Sequence, residues 1–477
     1  MFVGMKLIIT SLIYLTIYQI FGMDNETDYQ MASELLSETV DKSVNPCDNF
    51  YNFVCKKWVD KNQITPEYGK VQRATKSFFE FTREFYDKLL IGKKDSDSEA
   101  ILLIKTIMRL CVIDYLNENY ENFDIDEAYF HCVGENEQFS SLAFYTTTLN
   151  CMYGYETITA INKTVHEMFN SVKEQFKNLT KHKKWIDHFS QHYIEEKLDE
   201  MKAEVVYFPD LYNLVTMERV YKRFPYDNEM PYDQIKLLTK SFVNELHKLE
   251  WKFFDVRLNP IDINAFYDHN LNKYFAPLGF LKKPIFDLKF PISMKYGSYA
   301  TIIGHEIVHG FTEESLLLFN HERQQPVLSD YSFKEYNQRR ECMIEQYSNQ
   351  IHAPSGLHVN GTLTLEENIA DNGGIKIAYG AFKQYEKEHG VEKNNIPGFE
   401  NFTNDQIFFI SYGQFFCSKY DEEESRITIE KKEHAPEEIR LMTTLVNQKI
   451  FSDAFLCPKG SRMNPDDKCE IWKHKFY

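Results

Sequence analysis

Two histidines four positions apart, His305 and His309, stand in the stretch IIGHEIVHGFTEES at residues 302–315, with Glu306 directly after the first. On an α-helix, residues four apart project from one face, so both imidazoles can direct a ring nitrogen at one metal ion. Glu306, one position round, lies beside that ion without having to ligate it. A catalytic zinc usually has three protein ligands plus a water, so this pair is incomplete. Alone it reads equally as a helix whose histidines have ordinary partners. A third ligand is offered by TLEENIADNGG at residues 364–374. In a helix Glu367 and Asp371 share a face, so one can bind the metal while the other accepts the N–H of a ligating histidine. Gly373 and Gly374 would let another backbone approach closely. A carboxylate pair on a helix is otherwise commonly a solvated face.

The elements that must hold these residues are helical. Ile302, Ile303, Ile307, Val308 and Phe311 would bury the histidine helix and keep its imidazoles still. Apolar residues recur at three- and four-residue intervals over 77–90, 100–115, 158–179, 185–202 and 235–254, and again over 298–311, 333–351, 365–388 and 404–420. Between these two sets, residues 258–281 are rich in aromatic and β-branched residues, Pro and Asn, which predicts strands, an edge strand among them, at a domain boundary. The fold class expected is mainly α with a small β component (α+β).

A chain of 477 residues exceeds what one core usually serves, so two or more domains are expected. Its net charge of −17, with Lys and Arg scattered among acids, excludes a nucleic-acid partner. An apolar run over 7–21 follows one positive charge and is too short to span a bilayer, so residues 1–22 read as a secretory signal with an uncertain cleavage site. No stable membrane insertion is expected; the alternative is a type II membrane protein held by an uncleaved signal anchor. Nine cysteines and sequons at Asn25, Asn162, Asn178, Asn360 and Asn401 fit a secreted, disulfide-bonded glycoprotein with one thiol left over. Residues 23–46 form an acidic, poorly patterned stretch before NPCDNFYNFVCKKWV opens the folded part.

Taken together, IIGHEIVHGF, EENIADNGG, INAFYD, NPCDNFYNFVC and the tail DAFLCPKGSRMNPDDKCEIW resemble the neprilysin and endothelin-converting-enzyme family of zinc metallopeptidases. The resemblance covers 264–472 and the opening cysteine segment. It implies a thermolysin-like zincin catalytic domain over 258–477 and a mainly helical region with a truncated lid over 47–257. It also implies one Zn2+ per chain held by His305, His309 and Glu367, with Glu306 as general base and Asp371 orienting a zinc histidine. His434 would stabilise the oxyanion, while Asn264, Ala265 and Arg440 would bind the substrate main chain. The cysteine pairs implied are Cys47 with Cys457, Cys55 with Cys417, Cys111 with Cys151 and Cys342 with Cys469, which leaves Cys132 odd.

Departures from the family pattern bear on function. The segment between Cys55 and Asn264 is shorter than in typical members. Glu67 occupies a place where some members carry an arginine for a substrate's C-terminal carboxylate, which favours endopeptidase action. Thr312 and Glu313 replace a usual acidic pair, and Glu366 replaces a glycine before the zinc glutamate. The function expected is that of a secreted zinc endopeptidase acting on small to medium peptides. The alternative is a catalytically silent relative that binds peptides or a partner; retention of Glu306, Asp371, His434 and all three ligands speaks against it.

Overall fold

The computed structural model describes residues 27–64, 69–74, 76, 98–119, 125–148, 154–181, 183–205, 214–248, 264–319, 323 and 325–472. The expected signal segment 1–22, Glu67, the expected helix at 77–90 and Cys151 lie outside the described residues. In chain order the N-terminal part contains α1 (Tyr29–Ser37), α2 (Phe50–Lys61), β1 (Lys70–Gln72), α3 (Glu99–Glu118), α4 (Ile125–Thr148), α5 (Gly154–Thr180), α6 (His188–Glu200), β2 (Lys202–Val205), α7 (Leu214–Tyr221) and α8 (Tyr232–Lys248). There follow β3 (Phe266–Asp268), β4 (Lys273–Ala276), α9 (Ile292–Lys295), a π-helical turn (Tyr296–Ala300), α10 (Thr301–His309), α11 (Glu313–Leu317) and α12 (Asp330–Ser348). The chain closes with β5 (Ile351–His352), β6 (Leu357–His358), α13 (Leu365–His389), α14 (Asn404–Gln414), β7 (Ser418–Tyr420), α15 (Glu422–Lys431), α16 (Glu437–Val446) and α17 (Lys449–Ala454). This is the α-rich fold with a small β component that the sequence predicts.

Side-chain caps set many of the helix starts. Asp28, Asn49, Ser98, Asp187, Ser329 and Asp421 each accept a hydrogen bond from a backbone N–H in the first turn that follows, and Thr403 forms a reciprocal capping box with Gln406. The acidic stretch before Cys47 differs from expectation: it contains α1, with Ala32, Leu36 and Val40 in the core. Tyr29 and Ser33 bond to Glu392 and to the Pro397 carbonyl, so this helix is anchored on the C-terminal half. The predicted helix over 404–420 ends at Gln414, because Ser418–Tyr420 pair antiparallel with Lys70–Gln72. A long helix that periodicity does not disclose is α4. Its buried stripe includes Asn136 and Ser140, which interrupt the apolar pattern; the Asn136 side-chain amide N–H donates to Tyr232 Oη and the Ser140 hydroxyl to the Asn136 carbonyl.

The Cys111 pairing also needs correction. Cys111 bonds to Cys132, with Cα atoms 5.8 Å apart, rather than to Cys151, so Cys132 is not the odd residue. Cys111 lies seven residues before the end of α3 and Cys132 seven residues after the start of α4. Equal distances from the turn bring the two residues opposite each other in an antiparallel helix pair. The other expected pairs, Cys47–Cys457, Cys55–Cys417 and Cys342–Cys469, are present.

Helices α3, α4, α7 and α8 pack on one another, while α5 packs on α10 and α13. The three-stranded sheet has the order β2-β4-β3; β2 runs parallel to β4, and β3 lies antiparallel on the other side as the outer strand. The sheet and the α5 contacts both join segments on either side of residue 258, so N-terminal elements pack on the half of the chain that carries α10 and α13.

At the β5 end, His352 is buried and its Nδ1 lies 2.5 Å from Ser425 Oγ. Burial pushes the imidazole down to about 4, against an upward pull from Glu437. Because the folded value lies below the usual His value near 6.5, the unfolded chain binds more protons between pH 6.5 and 4. The stability contribution is therefore complete above pH 6.5 and lost as pH falls towards 4, by about 2 kcal/mol after solvent screening. In urea melts at a series of pH values, His352→Gln should lose less stability than wild type across this window. Parallel pH curves would refute the assignment.

Candidate metal centre and catalytic cleft

Helix α10 carries His305, Glu306 and His309, and α13 carries Glu367 and Asp371. The two helices cross backbone to backbone. A Cβ built on Gly304 would lie 2.5 Å from the Gly374 carbonyl oxygen, and one built on Gly374 would overlap the His305 backbone nitrogen. Glycine at both positions is what lets the histidine helix and the carboxylate helix approach closely. The sequence predicts this close approach at Gly373 and Gly374. Gly373 itself faces Val308, whose methyl would lie 2.9 Å from an added Cβ. The π-helical turn at Tyr296–Ala300 leads directly into α10; such turns frequently mark functional sites.

Three donors converge where the helices cross. His305 Nε2 and His309 Nε2 are 3.0 Å apart, and Glu367 Oε2 and Oε1 lie 3.2 and 3.5 Å from them respectively. His305 Nδ1 is 2.9 Å from Asp371 Oδ1. A carboxylate can only accept here, so Nδ1 carries a proton and Nε2 is the ring nitrogen turned to the cluster. Arg440 in α16 grips Asp371 with two bonds, Nε to Oδ2 and Nη2 to Oδ1, each 2.8 Å. The guanidinium offsets the burial of this carboxylate and keeps its pKa well below the usual range.

Without a cation the cluster is electrostatically incomplete. Glu367 Oε2 is buried and, although 2.8 Å from His434 Nε2, has no partner with hydrogen-bond geometry. Burial alone would lower His305, but Asp371 and Glu367 together raise it to about 10. The neighbouring carboxylates therefore demand positive charge at this point. Two imidazole nitrogens with a carboxylate are a donor set suited to zinc, and the residues fit that ion. His434 also falls within the span of a shared cation with His305 and Glu367.

Glu306 is buried, and burial raises its carboxyl pKa against the pull of His305 and His309. The backbone of Tyr267 hydrogen-bonds to it, tying it to the outer strand β3. Asn264 and Ala265 immediately precede that strand and line one cavity with His305, Glu306, His434 and Arg440. The structure thus brings every sequence-predicted site residue into two contacting shells around a single cleft. It adds the aromatic walls Phe280 and, from the end of α14 and the residues just after it, Tyr412, Phe415 and Phe416, whose local spacing does not mark them as part of the cleft.

The departures at Glu313 and Glu366 form one device. Glu366 accepts a hydrogen bond from the Glu313 backbone N–H at 2.9 Å, and Arg340 bridges the Glu313 and Glu366 carboxylates at 2.5 and 3.3 Å. This clamp joins the starts of α11 and α13 to α12, next to Glu367.

An α-rich fold with a small sheet, built around two histidines and a glutamate on crossing helices, defines the class as metallopeptidase-like. Residues 264–471 match the model described as Peptidase family M13, and through them the chain belongs to that family of neprilysins and endothelin-converting enzymes. Among relatives, Neprilysin-1 of Caenorhabditis elegans is 34% identical over 331 residues, which are 67% of this chain and 43% of that protein. An endothelin-converting enzyme homolog of Locusta migratoria is 32% identical over 68% of this chain and 45% of its own length. The chain thus spans less than half the length of these curated relatives. Of the solved structures, a chain of the Haemonchus galactose containing glycoprotein complex superposes with a TM-score of 0.69 at 19% identity, covering 93% of this chain and 99% of that one. Mycobacterium tuberculosis zinc metalloprotease Zmp1 in complex with inhibitor gives a TM-score of 0.58 at 20% identity, over 74% of this chain and 52% of that one. These two likenesses concern the fold.

Proposed function

We propose that the chain is a secreted zinc-dependent endopeptidase that hydrolyses bonds in small to medium peptides, with one Zn2+ held by His305, His309 and Glu367. The observation that carries this reading is the convergence of the His305 and His309 Nε2 atoms with the Glu367 carboxylate, whose oxygens lie 3.2 and 3.5 Å from them, beside buried Glu306. Zinc bound there would supply Lewis acidity and lower the pKa of a water from about 15.7 to near 7.

The chain's own residues supply the rest. Glu306 accepts the proton from the attacking water and returns it to the leaving amine, a role favoured by a carboxyl whose pKa burial raises. Asp371, itself gripped by Arg440, holds the His305 ring in one tautomer. His434, about half exposed, can donate Nε2–H to the carbonyl oxygen as negative charge develops there, stabilising the transition state more than the substrate. Asn264 and Ala265 lead into the outer strand β3, along which an extended peptide can add as a further strand. Four disulfides support an extracellular setting. Among the described residues no helix is long and apolar enough to cross a membrane.

The test combines native mass spectrometry with a panel of unstructured peptides. One zinc per chain is expected, with internal cleavage that a chelator abolishes and added zinc restores. A protein that holds zinc yet cuts no peptide would move the binding-protein reading ahead, and cleavage that survives complete metal removal would sink the mechanism.

A further inference from the structure

Helices α10 and α13 run antiparallel where they cross. Gly304 meets Gly374, His305 meets Asp371, His309 meets Glu367 and, beyond the end of α10, Glu313 meets Glu366. The donor cluster therefore lies between two tie points, the glycine contact at one end and the Glu313–Arg340–Glu366 clamp at the other. The first is a contact of main chains. The second depends on side chains, and it holds the less secure end of the crossing.

Glu367 is the third residue of α13, in a first turn whose N-cap Thr364 makes no side-chain cap bond. The Thr364 hydroxyl is committed elsewhere, donating to the Asn360 carbonyl and accepting from Asn368 Nδ2. An uncapped first turn leaves backbone N–H groups without intrahelical partners, and helix ends fray. Helix α11 starts in the same way, because Thr312 makes no cap bond and turns its hydroxyl to the His309 carbonyl. The clamp serves both starts: Glu366 Oε2 accepts the Glu313 N–H, while Arg340 Nη2 donates to Glu313 Oε2 and Glu366 Oε1. The arginine is itself held in place. Its Nη1 donates to Asn337 Oδ1 at 3.0 Å, and its guanidinium carbon lies 5.7 Å from the centre of the buried Tyr336 ring. Its side chain is 14% exposed against 42% for Glu313 and 38% for Glu366, so the shared cation sits on the protein side of the pair. Without it two carboxylates would face each other across the junction and push the starts of α11 and α13 apart.

We propose that Arg340 is a positioning residue of the metal centre: by holding Glu313 and Glu366 together it sets the distance of the Glu367 carboxylate from the His305 and His309 imidazoles. This rests on the zinc reading and adds to it a residue that touches neither the metal nor any of the three donors. Outer partners that orient metal ligands govern affinity by about 10- to 100-fold. Arg340 acts on Glu367 through its neighbour in the chain, so an effect of about tenfold, at the low end of that range, is expected.

The experiment follows the metal in the full chain, comparing wild type with Arg340→Gln, Arg340→Lys and the double variant Arg340→Gln/Glu366→Gln after loading with Zn2+ or Co2+. Three quantities are read: the rate at which a chelator strips zinc, the visible absorption spectrum of the cobalt form, and the melting temperature of the metal-free protein. Arg340→Gln should release zinc about tenfold faster than wild type, with displaced cobalt bands. Arg340→Lys keeps the charge without the planar guanidinium and should fall between the two. The double variant should recover most of the loss, because the repulsion is gone while the side-chain oxygen at position 366 still accepts the Glu313 N–H. A merely structural Arg340 would lower the melting temperature yet leave the release rate and the cobalt spectrum at wild-type values, and that result overturns the proposal. Fast release that the double variant does not recover overturns it as well. Should Arg340→Gln fail to fold, Arg340→Lys carries the comparison under the same criteria. Wild type that takes up neither metal refutes the zinc reading and the proposal with it, whereas wild type that holds both beside an Arg340→Lys protein with unchanged release and spectrum refutes the proposal alone.

Discussion

Glu306→Gln is expected to lower kcat/KM by about 10²–10⁴-fold with zinc content unchanged. Glutamine keeps the size of the side chain and can still accept the hydrogen bond from the backbone of Tyr267, but it cannot take up a proton at neutral pH. The converging donors are on other residues, His305, His309 and Glu367, so metal retention should survive. The fold should survive too, because an amide in this buried position removes a carboxylate that burial disfavours. Metal analysis beside steady-state kinetics gives a clean separation: Glu306→Gln keeps zinc and loses turnover, whereas Glu367→Gln loses zinc as well. An unchanged cleavage rate in a zinc-loaded Glu306→Gln protein would remove Glu306 from the mechanism.

Gly374→Ala should be more damaging than its single added methyl suggests. The new Cβ would fall against the backbone of Gly304 and His305, and no side-chain rotamer can relieve a clash between main chains. The two helices must therefore separate or slide, at about 1–3 kcal/mol for overpacking of this kind. Separation moves the Glu367 carboxylate away from the two Nε2 atoms and breaks the Asp371 bond to His305 together. A displacement of about 1 Å can cost on the order of 100-fold in rate. We expect weaker zinc binding, a lower melting temperature and a loss of activity of at least that order, while Gly356→Ala, at a remote turn with open space around it, should leave zinc affinity as it is. Wild-type zinc affinity in Gly374→Ala would show that the helix crossing tolerates the methyl and is not what sets the ligand geometry.

The sequence and the structure agree most closely where chemistry is written at helical spacing. His305 and His309, and Glu367 and Asp371, are pairs four residues apart, and this periodicity is a local property of any helix that includes them. Helices α3, α5, α12 and α13 are legible for the same reason, since one face is apolar along their length. Periodicity fails where a buried position is polar, as at Asn136 and Ser140 in α4, or where a distant partner decides the backbone. Ser418–Tyr420 leave the helical pattern because Lys70–Gln72, 346 to 350 positions earlier in the chain, pair with them. His434 and Arg440 show no local signal; the family resemblance identified them, and their place beside Glu367 and Asp371 is a product of chain crossing.

The amino-acid sequence by itself determined the donor types, their spacing within each helix, the helical character of the chain and three of the four cysteine pairings through family resemblance. Only the tertiary structure decided that Cys111 meets Cys132, that the Gly304–Gly374 contact brings together the helix with His305 and His309 and the helix with Glu367 and Asp371, and that lysines from three separate segments line one cleft of an acidic protein. The physical reason is one of range. Helical spacing is enforced by hydrogen bonds between near neighbours in the chain, whereas a metal centre and a charged cleft arise from contacts that exist only after distant segments have packed.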